Sequence, residues 1–293
     1  DATQGWVPTF DTVVADVPEE PGNSEGIFGY GYSYATSAVT AESHKVSNIG
    51  VVAAVVSGVG TARYDGTATE YGGDKGIFGY GSGRTNITNL VSNTGVVSTD
   101  VTGVGTARDG LAACEYGGDK GIFGYGRTPT LVSITNLVSN AGVVATDTTG
   151  VGTARWGLEA TEYGDDKGIF AFGYTGSNTA VSNLVSNVGV VATDVTGVGT
   201  ARRELAACCY GYDKGIFAYG YTGSLVSMSN LVSNAGVVAT DVTGVGTDRS
   251  HLGGCEYGND KGIFGYGTNT NVSNLVTNLG VIGSDVSGVG ANA

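Results

Sequence analysis

Lys214-Gly-Ile-Phe-Ala-Tyr-Gly220 is followed by Asn230-Leu-Val-Ser-Asn-Ala-Gly-Val-Val-Ala-Thr-Asp-Val-Thr-Gly-Val-Gly246, and close copies of these two segments recur to the C-terminus. The Gly-Ile-Phe tripeptide begins at Gly26, Gly76, Gly121, Gly168, Gly215 and Gly262, and subtraction gives spacings of 50, 45, 47, 47 and 47 residues. Six copies of one unit therefore account for most of the 293 residues.

One unit divides into four short segments. From Lys75 they read Lys75-Gly-Ile-Phe-Gly-Tyr-Gly81, Asn86-Ile-Thr-Asn-Leu-Val-Ser92, Gly95-Val-Val-Ser-Thr-Asp100 and Leu111-Ala-Ala-Cys-Glu-Tyr116. Each has the length and the β-branched, aromatic or alternating content of a strand. Between them stand Ser92-Asn-Thr-Gly95, Thr102-Gly-Val-Gly105 and Gly117-Gly-Asp-Lys120, which favour tight turns. Nowhere do apolar residues recur at helical spacing, so essentially no helix is expected.

Four strands in about 45 residues, repeated, is the pattern of a β-propeller blade, whose small twisted sheet buries both faces against its neighbours. The expected fold is all-β, a six-bladed β-propeller of four-stranded blades with a period of about 47 residues. A β-solenoid usually has shorter coils without three hairpin turns each. A silk-like fibre would place Gly in runs, whereas here Gly holds fixed turn and close-packing positions. Residues 26–293 form the six repeats of one domain. Residues 1–25 are the least repetitive part; Phe10-Asp-Thr-Val-Val-Ala-Asp-Val17 reads as a strand and Pro18-Glu-Glu-Pro-Gly22 as a turn, a degenerate first strand expected to help close the ring.

In period and strand order the chain resembles kelch-like repeats, nearest the small Gly-rich kind found in bacterial and bacteriophage proteins. The resemblance implies that the Leu-Ala-Ala segment is innermost, Gly-Ile-Phe second, Asn-Leu-Val third and Gly-Val-Val outermost. Two features depart from it: Gly79-Tyr-Gly81 stands where a kelch unit has its diglycine, and the tryptophan that ends such a unit is absent.

A net charge of −13 and a scatter of 14 Lys and Arg without a basic patch argue against nucleic acid as a partner. No unbroken apolar window of about 18 residues exists, so membrane insertion by a helix is not expected. The N-terminus lacks Met, a basic segment and an apolar segment, as a mature or trimmed product would. Cys114, Cys208 and Cys255 occupy one position of different repeats, too far apart for disulfides, and read with Cys209 as small apolar residues.

Several residue sets recur. Asp100-Val-Thr-Gly-Val-Gly105 returns at Asp147, Asp194, Asp241 and Asp285, one carboxylate per Gly-rich turn, which suits capping of turn amides better than Ca²⁺ ligation. Asp74-Lys75 returns as Asp119-Lys120, Asp166-Lys167, Asp213-Lys214 and Asp260-Lys261, alongside Arg63, Arg108, Arg155, Arg202 and Arg249. One cation and one anion at each unit's junction are expected to hold neighbouring units by charge-assisted hydrogen bonds. Tyr30, Tyr80, Tyr125, Phe172, Tyr219 and Tyr266 are expected in the core; strand alternation puts Phe78 and Tyr80 on one face. Tyr32, Tyr174 and Tyr221, nearer the following loop, are the candidate ligand-binding aromatics. Asn89 and its equivalents, replaced by His44 in the first copy, are expected to satisfy backbone groups.

His44 and His251 are the only histidines and occupy unrelated repeat positions; no metal spacing, nucleophile elbow or phosphate loop appears. No catalytic residue, metal or cofactor is assigned. The sequence thus points to a non-enzymatic structural or recognition module, extracellular or on a virion or appendage, used for assembly or adhesion. Its expected partners are other protein subunits, including further copies of itself, or surface glycans. The alternative is a lectin-like propeller with repeated shallow sites; a hydrolase with one axial site ranks below both.

Overall fold

A computed structural model describes residues 24–34 and 36–289. The N-terminal strand and ring-closing role expected of residues 1–23 lie outside the described residues. All regular structure among these is β, in six sheets, with no helix long and apolar enough to cross a membrane.

The first sheet pairs β1 (Gly26–Ser33) with β2 (Ala38–Val46). The second holds β3 (Thr67–Tyr71), β4 (Lys75–Gly81) and β5 (Thr85–Val91). The third holds β6 (Ala112–Tyr116), β7 (Lys120–Gly124) and β8 (Thr135–Val138). The fourth holds β9 (Glu159–Tyr163), β10 (Lys167–Ala171) and β11 (Ser182–Val185). The fifth holds β12 (Ala206–Tyr210), β13 (Lys214–Tyr221) and β14 (Leu225–Val232). The sixth holds β15 (Gly253–Tyr257), β16 (Lys261–Gly265) and β17 (Ser273–Val276).

In every three-stranded sheet the Gly-Ile-Phe strand is central and antiparallel to both neighbours, with one register throughout. In the third sheet Ile122 lies between Cys114 and Leu137, and Phe123 between Ala113 and Asn136. The Gly-Val-Val segment touches the third strand at isolated bridges only, for example Val138 with Val144 and Thr135 with Thr148.

The register shifts between Gly79 and Gly81, and again between Gly29 and Gly31 and between Ala218 and Gly220. Tyr80 sits at this bulge with φ +62, as Tyr30, Tyr125, Phe172, Tyr219 and Tyr266 do at φ 63 to 64. A left-handed residue breaks the two-residue alternation of a strand. The expectation that Phe78 and Tyr80 share a face is therefore corrected: Phe78 packs edge-on against Tyr30 of the preceding sheet, and Tyr80 against Phe123 of the following one.

This aromatic step repeats from sheet to sheet. Tyr125 meets Phe170, Phe172 meets Phe217, Tyr219 meets Phe264, and Tyr266 of the sixth sheet meets Phe28 of the first, with ring centroids 5.1–5.6 Å apart. Such pairs contribute roughly 0.5–1.5 kcal/mol each beyond simple burial. The apolar core consequently lies between sheets. The small residue after each Phe follows from the same packing: a Cβ on Gly124 would come 2.6 Å from Phe170 Cζ. The inner strands also touch in succession, β3 with β6, β6 with β9, β9 with β12 and β12 with β15, and β15 touches the Gly-Ile-Phe strand β1 of the first sheet.

Candidate functional site

The seam between adjacent sheets is built around one buried arginine. Arg108 is fully buried. Its guanidinium lies 4.4 Å from the ring centroid of Tyr80 in the preceding sheet. Its Nε donates to the Tyr125 carbonyl at 2.8 Å, Nη1 to the Thr106 carbonyl at 3.0 Å and Nη2 to Asn136 Oδ1 at 2.8 Å. Arg63, Arg155, Arg202 and Arg249 stack likewise on Tyr30, Tyr125, Phe172 and Tyr219. In two repeats the fork turns: Arg155 and Arg202 aim Nη2 at the Phe170 and Phe217 carbonyls, and Asn183 and Asn230 Oδ1 then have no partner among the described residues.

The repeated Asp belongs to this seam. Asp147 accepts from the Thr106 amide at 3.0 Å, from Thr106 Oγ1 at 2.6 Å and from Asn136 Nδ2 at 2.9 Å. Burial pushes its carboxyl up, but the hydrogen bonds from Thr106 and Asn136 and the nearby Arg108 outweigh that and hold it below the usual carboxylate range. The Asp-Lys pairs do something else. Asp74-Lys75, Asp119-Lys120, Asp166-Lys167, Asp213-Lys214 and Asp260-Lys261 each close within one turn, with the lysines about 40% exposed. The cross-unit ion pairing expected of them is corrected: what crosses is backbone, Gly72, Gly117, Gly164 and Gly211 donating to Asp119, Asp166, Asp213 and Asp260 carbonyls at 2.8 Å, and Gly258 to Ser24 at 2.7 Å. A backbone amide is fixed in place by the turn, whereas adjacent Asp and Lys side chains find each other first.

The inner strands enclose a cavity of about 190 Å³. Glu70, Glu115, Glu162 and Glu256 line it at one repeat position, and Cys209 takes that position in the fifth repeat. Burial raises all four carboxyls and their mutual repulsion adds to the rise for Glu115, Glu162 and Glu256; Glu70 is pushed up to about 7 and Glu256 to about 8. Glu70 is exposed within the cavity yet ringed by protein, and a narrow cavity solvates a charge less well than bulk water. Carboxyl oxygens of Glu162 and Glu256 and Cys209 Sγ lie within 4.8 Å of one another.

At the start of the inner strands a second cavity, of about 600 Å³, opens. Its collar is formed by Asp65, Gly110, Gly157, Glu204 and His251, equivalent positions of five repeats. Four of the five backbone amides donate to the preceding collar carbonyl at 2.8–3.0 Å, Gly110 to Asp65, Gly157 to Gly110, Glu204 to Gly157 and His251 to Glu204. All five are left-handed, with φ between +52 and +62. Charged side chains gather around it. Arg127 binds Asp109 at 2.5 Å and Asp65 at 3.6 Å and lies 4.2 Å above the Trp156 ring. Glu204 binds Arg203 Nε at 3.1 Å and His251 Nδ1 at 3.5 Å.

Of the candidate aromatics, Tyr32 lines this cavity, edge-on to Tyr34 and Tyr64 at 5.2 and 5.9 Å. Tyr174 and Tyr221 sit elsewhere on the same side, both 4.8 Å from the Arg203 guanidinium. All three are half-buried, and Ser82, Arg127 and Thr268 fill their position in the other repeats. The structure thus does not bring the three tyrosines into one site. No family model and no curated protein matches this chain.

Sequence reasoning missed the collar and the inner carboxylates. The inner carboxylates were marked by a charged residue at one fixed place in the inner segment, as in Glu115 of Leu-Ala-Ala-Cys-Glu-Tyr, whereas the collar positions share no residue type. The seam arginine and aspartate were singled out, but not their meeting.

Proposed function

We propose that the six sheets are the blades of a closed, kelch-like β-propeller with four strands per blade, and that it is a non-enzymatic module for assembly or adhesion outside the cell or on a virion or appendage. The sheet-to-sheet aromatic contacts returning from Tyr266 to Phe28, and the bridged outer segments, support the propeller. The functional reading is carried by one observation. Val51, Val96, Val143, Val190, Val237 and Val281 stand at one position of all six repeats and are 57–64% exposed. Each opens the outermost segment, whose far edge has no strand partner among the described residues. Scattered exposed valines need no explanation, whereas six equivalent ones on open sheet edges form a repeated apolar surface of the kind that joins subunits. Repetition multiplies a weak contact through avidity.

The chain's charge of −13 opposes self-association, and salt screens that repulsion while leaving apolar contacts intact. Light scattering after size exclusion is therefore expected to find species larger than the monomer, growing with NaCl. The triple variant Val143→Lys, Val190→Lys, Val237→Lys should stay folded and run as a monomer. A native chain that is monomeric at every salt and protein concentration would sink the assembly reading.

A further inference from the structure

The six repeats agree closely except around one cavity. The collar positions need a left-handed backbone, which Gly adopts without strain and which costs other residues roughly 1 kcal/mol or more. Gly110 and Gly157 meet that requirement; Asp65, Glu204 and His251 do not, and their side chains line the cavity instead. The opposite departure is the first sheet, where the end of β1 and the turn after it carry Tyr32 and Tyr34 to the same cavity. Tyr34 and Tyr64, both edge-on to Tyr32, are 44% and 41% exposed. Aromatic faces, carboxylates and an imidazole thus converge on a concavity of a size that holds small ligands.

The collar charges are paired, whereas Glu42 and Glu159 also line the cavity, and burial pushes the Glu159 carboxyl up to about 8. Asp65 and Asp109 share Arg127, and Glu204 lies between Arg203 and His251. An anionic ligand would meet the carboxylates that line the cavity, and a cationic one would find Glu42 as the one lining carboxylate, among the described residues, that is neither paired nor pushed up by burial. What remains is a rim of fixed donors and acceptors beside open tyrosine faces, which suits a neutral molecule with many hydroxyls and apolar C–H faces. We propose that this mouth is a single binding site for a neutral carbohydrate, with Tyr34 and Tyr64 stacking on the sugar and Asp65, Glu204 and His251 hydrogen-bonding its hydroxyls. It is one site per molecule, formed where the repeat symmetry breaks, and is independent of whether the chain assembles.

The test is an array of neutral oligosaccharides built from glucose, galactose, mannose and N-acetylglucosamine, with sialylated and sulfated glycans and an alkylammonium probe alongside, followed by calorimetry on the best neutral binder. Tyr34→Ala and Tyr64→Ala are each expected to weaken it at least about tenfold, and Glu204→Gln about tenfold, with unchanged melting curves. Tyr212, 65% exposed in the turn at the other end of the inner strand, is the control, and Tyr212→Ala should bind as the native chain does. No neutral glycan bound, binding of charged probes only, or a neutral glycan held equally well by Tyr34→Ala and Tyr64→Ala would each overturn the site.

Discussion

The seams between sheets and the collar at the cavity mouth are built from the same repeat, yet one is nearly invariant from copy to copy and the other is not. At the seam an Arg, an Asn, an Asp and a Thr recur because each sheet presents them to an almost identical neighbour, the Asp keeping its Thr and Asn partners throughout and the Arg reaching Asn in three repeats and a backbone carbonyl in two. At the collar the backbone hydrogen bonds recur but the side chains run Asp65, Gly110, Gly157, Glu204, His251. The backbone pairing fixes the conformation, and the side chain faces the cavity and not a neighbouring sheet, so packing between sheets sets no rule for it. Uniformity marks where repeats must fit one another; variation marks where something other than the fold chooses the residue.

The seam should therefore be the costly place to cut. Arg108 is fully buried, and its removal leaves Asn136 Oδ1 and the Tyr125 carbonyl without its hydrogen bonds and the Tyr80 face without its cation. Arg108→Ala is expected to cost about 3–5 kcal/mol in urea unfolding. Arg203→Ala, at the variable mouth with its guanidinium partly exposed, should cost about 1 kcal/mol or less. Equal costs at the two places would erase the distinction between seam and mouth.

Between these extremes lies the inner cavity, repeated except at Cys209. A carboxyl raised in the folded state keeps a proton that the unfolded chain has lost. Its stabilising contribution is fully present below the unfolded value near 4.5 and disappears as pH rises through the folded values, about 7 for Glu70 and about 8 for Glu256. The seam carboxylates, held low, act the other way: their contribution is present above an unfolded value near 3.8 and lost as pH falls below it. Stability should accordingly peak near pH 5 and decline to pH 9, the melting temperature falling about 2–4 °C for each 1 kcal/mol lost. Glu162→Gln with Glu256→Gln should flatten that decline. A melting temperature that rises from pH 5 to pH 9 would contradict the arrangement.

The repeat, the strand order and the near absence of helix were legible because periodicity and turn residues are local signals, and a six-fold copy states them six times. The bulge at Tyr80 was not legible: Gly79-Tyr-Gly81 reads as alternating strand, and only the register shift reveals that the tyrosine turns to the other face. The collar was hidden for a related reason. Its residues differ in every chemical respect and share only a backbone angle, which no residue type announces when Asp, Glu and His stand where Gly would serve. The Asp-Lys dipeptide misled in the opposite sense, since a conspicuous repeated charge pair satisfied itself within its own turn.

The collar offers the finest test, because there the two kinds of residue can be exchanged. A Cβ at Gly157 would meet nothing closer than 3.5 Å, so Gly157→Ala is resisted only by the left-handed angle of +62 and should cost about 1 kcal/mol. Glu204→Gly relieves the same strain at φ +56 but surrenders the contacts with Arg203 and His251, and should leave the fold unchanged or more stable by up to about 0.5–1 kcal/mol. The same substitution should weaken the carbohydrate site. If Glu204→Gly instead destabilises as much as Gly157→Ala does, Glu204 is held there by the fold and not by a ligand, and the asymmetry of the collar loses its functional meaning.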